Sequence, residues 1–308
     1  MCFNHGHSHN VTVVDAPKMT TQKVDRRNVV KSLAAGSAAM AVTACATNPE
    51  TGRKQFLALA PSETALSQTA AASWDELRSS TPTSNDPRYT NRLQTIGNRI
   101  SRGAGRADEQ WDYTVFDQDT LNAFVLPGNR VGFYKGMMDF ADNDDQIANI
   151  MGHEVGHVAG AHARERFSTQ VGTQLGVTAA SVAISSRVGR KCDSVPANQR
   201  SSCLNASNRN AQLAIAALGL GAQFGILLPY SRRHETESDL LGANYAQRAG
   251  YDPYEGVRLW EKMAARNANR PPEFLSTHPD PANRARTLHD YIKRQEDLGS
   301  QGFKDIRT

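Results

Sequence analysis

The 308-residue chain is predicted to fold as an α+β protein, predominantly helical, with a small antiparallel sheet and two helices that carry metal-binding side chains. Three observations predict it. Apolar residues recur at helical spacing in long segments, as in Tyr89, Leu93, Ile96 and Ile100. Two short apolar runs, Asn122 to Leu126 and Val131 to Tyr134, flank the turn Pro127-Gly128-Asn129-Arg130 and read as a hairpin. Histidines and carboxylates at helical spacing occur in two separate stretches, His153 to His157 and Glu235 to Asp239.

Composition and the N-terminus come first. With 39% hydrophobic residues the chain can bury a sizeable core. Its formal charge is +4, of which the first 44 residues carry +3. The remainder offers no basic footprint for a nucleic-acid partner. Residues 1–44 do not read as fold. Arg26, Arg27 and Lys31 precede an apolar run from Leu33 to Ala44, too short to span a bilayer at about 20 residues per helix but suited to an export signal. Val42-Thr43-Ala44-Cys45 resembles a bacterial lipobox, which makes Cys45 the lipidated residue and the membrane a partner through that anchor. The Arg26-Arg27 pair also fits twin-arginine export. His5, His7 and His9 form a tract able to bind metal, or belong to an extension upstream of a start at Met19. The expected division is a signal at 1–44, a lipid-anchored linker at 45–70, a folded domain at 71–298 and a tail at 299–308.

Within the domain, a helix is expected over Asp86 to Arg102, and Trp111 to Phe116 alternates as a strand. The hairpin follows. Asp142-Asn143-Asp144-Asp145 then supplies an N-cap and an acidic first turn for the helix bearing His153-Glu154-Val155-Gly156-His157. On that helix His153 and His157 stand one turn apart on one face, so two neutral imidazoles can share a zinc ion while Glu154 reaches a metal-bound water. Zinc lowers the pKa of such a water to about 7, within reach of a carboxylate base. A third ligand must come from elsewhere. His162 is close in sequence, but five residues along a helix rotate it roughly 140° away from His157. The alternative is Glu235 on a second helix, with Asp239 one turn on to orient a ligand histidine from behind, while Glu237 points away. Paired with the first motif, Glu235 is the better candidate.

Between the two motifs, residues 171–184 and 211–228 are rich in Ala, Gly and Leu, yet Gln212, Gln223 and several glycines weaken any membrane span. Buried or interfacial helices are expected there. Cys192 and Cys203 enclose a polar loop, and export permits them to pair. After the second motif come a helix continuing to Arg248, a stop at Gly250, a helix over Tyr254 to Arg266, and a last charged helix from Asn283 to Leu298. Thr277-His278-Pro279-Asp280-Pro281 cannot be helix interior, so His278 projects from a constrained loop.

At this point the sequence resembles a family of zinc metallopeptidases of the gluzincin type, which includes the HtpX-type membrane proteases, the CaaX prenyl proteases and lipid-anchored periplasmic bacterial proteases. The resemblance rests on H-E-x-x-H at His153–His157 and on Ser231-Arg232-x-x-Glu235-x-x-Ser238-Asp239, where serine replaces the family's alanine. Asn122-Ala123-Phe124 with Pro127-Gly128, Thr277-His278-Pro279 and Asn48-Pro49-x-Thr51-Gly52-Arg53 add to it. It implies a zincin-like fold and one zinc held by His153, His157 and Glu235, with Glu154 as catalytic base. It implies an edge strand at Asn122, Ala123 and Phe124 that pairs with an extended substrate by β-augmentation, although Phe124 is equally suited to plain core packing. It further implies a periplasmic endopeptidase, at the outer membrane, for misfolded or unassembled envelope proteins, with an assembly factor or holdase of little turnover as the alternative. The chemistry also needs a donor for the oxyanion. His278 is the expected one, with Arg284 as a second donor or substrate contact. His278 can in addition latch onto the metal in the resting enzyme.

Overall fold

The computed structural model describes residues 45–223, 227–266, 274–275, 278 and 280–299. The export signal, the His-rich tract, the tail beyond Gly299 and residues Thr277 and Pro279 lie outside the described residues.

Strands β1 (Cys45–Thr47) and β2 (Lys54–Phe56) form an antiparallel ribbon that pairs Cys45 with Phe56. The Asn48 side chain shapes the turn between them by accepting from the Glu50 and Thr51 amides at 2.9 and 3.1 Å, and Gly52 takes the left-handed φ of 66° that closes it. Asn48, Thr51 and Gln55 are buried, so this stretch, expected as linker, is folded onto the body instead. The reason is polar: Asn48 Nδ2 donates to the carbonyl of Ala159, an acceptor far away in sequence.

Helix α1 (Glu63–Ser80) starts at the Ser62 cap and seats Trp74 in the core. Helix α2 (Pro87–Gly103) has Asp86 as cap and proline in its first turn, and it buries the Leu93, Ile96 and Ile100 stripe. Strands β3 (Asp112–Phe116), β4 (Ala123–Leu126) and β5 (Arg130–Tyr134) make a sheet in the order β3-β5-β4. The β4–β5 hairpin turns through Gly128 and Asn129, at φ 85° and 60°. The class is as expected, helices with small sheets, but this sheet is mixed rather than antiparallel. β5 does not add outside β4; it inserts between β4 and β3, which makes it parallel to β3. Alternation along a strand cannot reveal such an insertion, because it reports faces and not neighbours. The outcome leaves β4 on an edge.

Helix α3 (Lys135–Phe140) leads to α4 (Asp144–Ala159), the buried spine, with Asn143 capping it and Asp144 and Asp145 in its first turn. Helices α5 (His162–Asp193) and α6 (Arg200–Ala222) project as a pair joined by a Cys192–Cys203 disulfide. Of the two expectations for their apolar stretches, buried or interfacial, the buried one fails, since Leu175, Val182, Leu213 and Leu220 are exposed. Among the described residues, no helix is long and apolar enough to cross a membrane. Helix α7 (Leu228–Arg248) returns against α4 and ends at Gly250, whose φ of 79° breaks the helix. Helices α8 (Tyr254–Ala265) and α9 (Pro281–Asp297) close the core with Val257, Trp260, Met263, Leu288 and Ile292.

Candidate metal centre

The site lies where α4 crosses α7. Both helices carry small residues at the crossing: Gly152 and Gly156 on one, Ser238 and Gly242 on the other. A Cβ built on Gly156 would fall 2.8 Å from the Ser238 carbonyl, so backbones meet where side chains usually keep helices apart. That approach brings His153 and His157 against Glu235. The imidazole Nε2 atoms of His153 and His157 are 3.0 Å apart. Glu235 reaches both, Oε2 at 3.4 Å from His153 Nε2 and Oε1 at 3.6 Å from His157 Nε2.

Those separations suit a metal. Tetrahedral zinc with bonds of about 2.0–2.1 Å sets its ligand atoms roughly 3.3 Å apart. The hydrogen-bonding pattern asks for a cation as well. His153 Nδ1 donates to Asp239 Oδ1 at 2.9 Å, which leaves its Nε2 with a bare lone pair. His162 Nε2 donates to Glu237 at 3.0 Å, so His162 Nδ1 accepts from His157 Nδ1 at 2.9 Å, and His157 Nε2 is likewise a lone pair. Two lone pairs therefore face each other, beside Glu235 Oε1, which is buried without a hydrogen-bond partner. A dication resolves all three.

Glu154 is also buried, with Oε1 lacking a partner. Burial pushes its carboxyl up to about 8; Glu235 adds to the rise, while His153, Arg284 and the backbone N–H of Val125 in β4 oppose it. A carboxylate tuned near neutrality is matched to proton transfer. Burial works against the charge on Glu235, yet the imidazoles of His153, His278 and His157 beside it outweigh that and hold the carboxyl far below the carboxylate range. Asp239 is buried too, and the Arg284 charge beside it lowers its pKa against that burial.

The remaining predicted residues divide. His278 is not solvent-facing but buried, its ring stacked on Phe274 at 4.3 Å. Its Nδ1 lies 2.7 Å from Glu235 Oε2 and 3.1 Å from His153 Nε2, and its Nε2 is 3.6 Å from Glu154. It thus joins His153, His157 and Glu235 in one cluster whose ligand atoms all fall within 4.8 Å of one another. Arg284, expected as a donor to substrate, lies against the cluster, its Nη1 3.5 Å from Glu235 Oε2. Its Nε and Nη2 grip both oxygens of Asp239 at 2.7 Å, Nη1 donates to the His278 carbonyl at 3.3 Å, and the Trp260 ring covers it. Phe124, half-buried, packs over Gly132 and against Trp74 and Phe116, while the backbone N–H of Val125 in the same strand reaches Glu154. Cys45 begins β1, and Cys192 is bonded to Cys203.

Sequence reasoning misses the layer behind His157. On a continuous helix both His162 and Glu237 turn away from the metal, yet both stand in that layer. Ala161, at φ 50°, breaks the helix between α4 and α5, and the bare Cα of Gly160 lets the His162 ring fold back onto His157. Gly160 followed by His162 is the signal that the sequence offers.

Comparison with known proteins agrees with the geometry. The profile of Peptidase family M48 matches residues 87–292. The chain is 27% identical over 234 residues to the "Beta-barrel assembly-enhancing protease" of Escherichia coli K12, covering 75% of this chain and 44% of that protein. It is 30% identical over 262 residues to "Metalloendopeptidase OMA1, mitochondrial" of Danio rerio, covering 82% and 51%. For "Mitochondrial metalloendopeptidase OMA1" of Schizosaccharomyces pombe the identity is 30% over 198 residues, covering 63% and 50%. The chain thus spans about half the length of these relatives. With the profile covering most of the chain, the chain belongs to peptidase family M48, and the donor set of His153, His157, Glu235 and His278 fits zinc.

Proposed function

We propose that this protein is a lipid-anchored zinc endopeptidase of the bacterial cell envelope that degrades misfolded or unassembled envelope proteins. The observation that carries the catalytic part is the triangle of His153 Nε2, His157 Nε2 and Glu235, with sides of 3.0, 3.4 and 3.6 Å. In this reading those three residues hold the zinc, and the membrane-protease and prenyl-protease branches of the resemblance fit less well than the lipid-anchored one. Bound zinc polarises the scissile carbonyl and acidifies water. Glu154 takes a proton from the attacking water and passes it to the leaving amine. Asp239 holds His153 in the tautomer that turns Nε2 inward, and Arg284 fixes Asp239. The β4 edge beside Glu154 offers backbone groups to an extended peptide without demanding a sequence.

His278 is assigned two positions in one cycle. In the conformation described it sits against Glu235 and His153 as a latch. Once its loop opens for substrate, the same imidazole donates to the oxyanion. Envelope location and lipidation rest on the lipobox at Cys45 and on the likeness to the Escherichia coli protease.

The second reading, an assembly factor with little turnover, is favoured by the burial of Glu154, Glu235 and His278, which keeps the centre closed. Purified protein incubated with zinc and an unfolded polypeptide separates the two. Cleavage by wild type and none by Glu154→Gln supports the peptidase; an equal lack of cleavage by both supports the assembly factor. Mass spectrometry of envelope-extracted protein tests the anchor, and an unmodified Cys45 removes it.

A further inference from the structure

Behind His157 lies a chain of polar and charged groups that the hydrolysis scheme does not use. His162, donated to by His157 Nδ1, itself donates from Nε2 to Glu237 Oε2 at 3.0 Å. The next group is Arg53, whose Nε lies 2.9 Å and Nη2 2.8 Å from that same oxygen. The opposite edge of the guanidinium meets both oxygens of Glu165 at 2.8 and 2.6 Å. Arg53 and Glu237 side chains are only 10% and 9% exposed, and Glu165 is fully buried. Around them Gln55 donates to Glu165, His234 meets the same carboxylate, and the His234 ring stacks on His162 at 4.2 Å. Ser238, the serine that stands where the family has alanine, lies with its Oγ 3.2 Å from His162 Nδ1.

We infer that Arg53 is a positioning residue of the metal centre, acting through Glu237 and His162 to hold His157 with its Nε2 lone pair turned to zinc. The direction of each hydrogen bond supports it. Glu237 can only accept when ionised, so its partner atom on His162 is an N–H, and the other His162 nitrogen must then be the acceptor. His157, at 2.9 Å closer to that acceptor than the Ser238 hydroxyl at 3.2 Å, then supplies the proton from Nδ1. A buried Glu237 keeps its charge because the Arg53 fork faces it. Ligand histidines commonly rest on a carboxylate or carbonyl directly. Here a second imidazole is interposed, and the carboxylate is steadied by a residue from the turn that follows Cys45.

The consequence is that the 48–56 turn is part of the centre. Arg53 is 184 residues from Glu237 and 112 from Glu165, so its docking joins the first described residues of the chain to the zinc-bearing α7 and to α5. Undocking that turn loosens His157 before it disturbs the core.

The inference rests on His157 being a ligand, and one set of titrations tests both. Zinc affinity is measured on the full chain by competition with a chromophoric chelator, with thermal stability of the metal-free protein alongside. Arg53→Gln should weaken zinc about 10- to 100-fold, the range for loss of a ligand's supporting partner. Glu237→Gln keeps size and shape, folds even if Arg53→Gln does not, and should weaken zinc in the same direction. Tyr291→Phe removes a buried hydrogen bond of 2.8 Å to Asn244 on α7 away from the centre, and it should lower stability with zinc affinity unchanged. Cobalt substituted for zinc adds a spectrum that a purely structural role leaves alone, and both relay variants should shift its visible bands. Wild-type zinc affinity and cobalt spectrum in Glu237→Gln would overturn the relay. Undiminished zinc binding in His157→Ala would instead remove the ligand assignment beneath it.

Discussion

Gly152 and Gly242 face each other across the α4–α7 crossing: a Cβ on Gly152 would lie 2.7 Å from the Gly242 carbonyl oxygen, and one on Gly242 would lie 2.7 Å from the His153 amide nitrogen. Neither neighbour is a flexible side-chain end, so an added methyl must push the helices apart. Gly242→Ala should cost about 1–3 kcal/mol, the usual range for overpacking, although alanine is the better helix former. Because the same shift separates Glu235 from His153 and His157, zinc affinity should fall with it. Unfolding and zinc titration of Gly242→Ala check this; stability and affinity both equal to wild type would contradict the crossing as what sets the ligand spacing.

Glu154→Gln should bind zinc as wild type does and lose hydrolysis, whereas His157→Ala should lose both. Elemental analysis and a cleavage assay on the purified variants are sufficient. Equal zinc loss in the two would sink the assignment of Glu154 as base and His157 as ligand.

For His278→Ala the two positions proposed for the imidazole predict different outcomes. Losing an oxyanion donor lowers turnover about 100- to 1,000-fold with KM little changed. Losing only a latch that sits 2.7 Å from Glu235 leaves kcat equal or raises it. The expected outcome is the fall; wild-type or faster turnover would leave latching as the sole role.

Metal removal should destabilise the protein by mass action, since zinc binds the folded cluster. At a free zinc concentration about 100 times Kd the contribution is about 2.7 kcal/mol. A chelator should therefore lower Tm for wild type and for Glu154→Gln. It should leave His157→Ala unmoved, and calorimetry decides.

Reducing the Cys192–Cys203 bridge should loosen the projecting α5–α6 pair and leave the core intact, because the bridge closes a short loop at its far end. Hydrogen exchange should accelerate around 187–209 and not in α4. Two alkylatable thiols in protein never exposed to reductant would show that the bridge does not form.

The elements of this protein that carry strong periodicity or caps can be read from local sequence. Leu93, Ile96 and Ile100 mark α2, Asn143 begins α4, and Gly250 ends α7, since each depends on residues within one turn of itself. The spacing of His153 with His157, and of Glu235 with Asp239, likewise puts each pair on one face, because helical geometry alone relates residues four apart. What tertiary structure alone decided is who stands opposite. β5 slipped between β3 and β4; Arg284 closed on both oxygens of Asp239; and His162, turned away from His157 on a continuous helix, came back to it through the break at Ala161. Arg53 reached Glu237 across 184 residues. The physical reason is common to all four. Local sequence fixes dihedral preference and the apolar face, which act over a few residues. The partner of a strand edge or a buried charge is set by whatever group the packed backbone brings within reach, and only the folded chain holds that information.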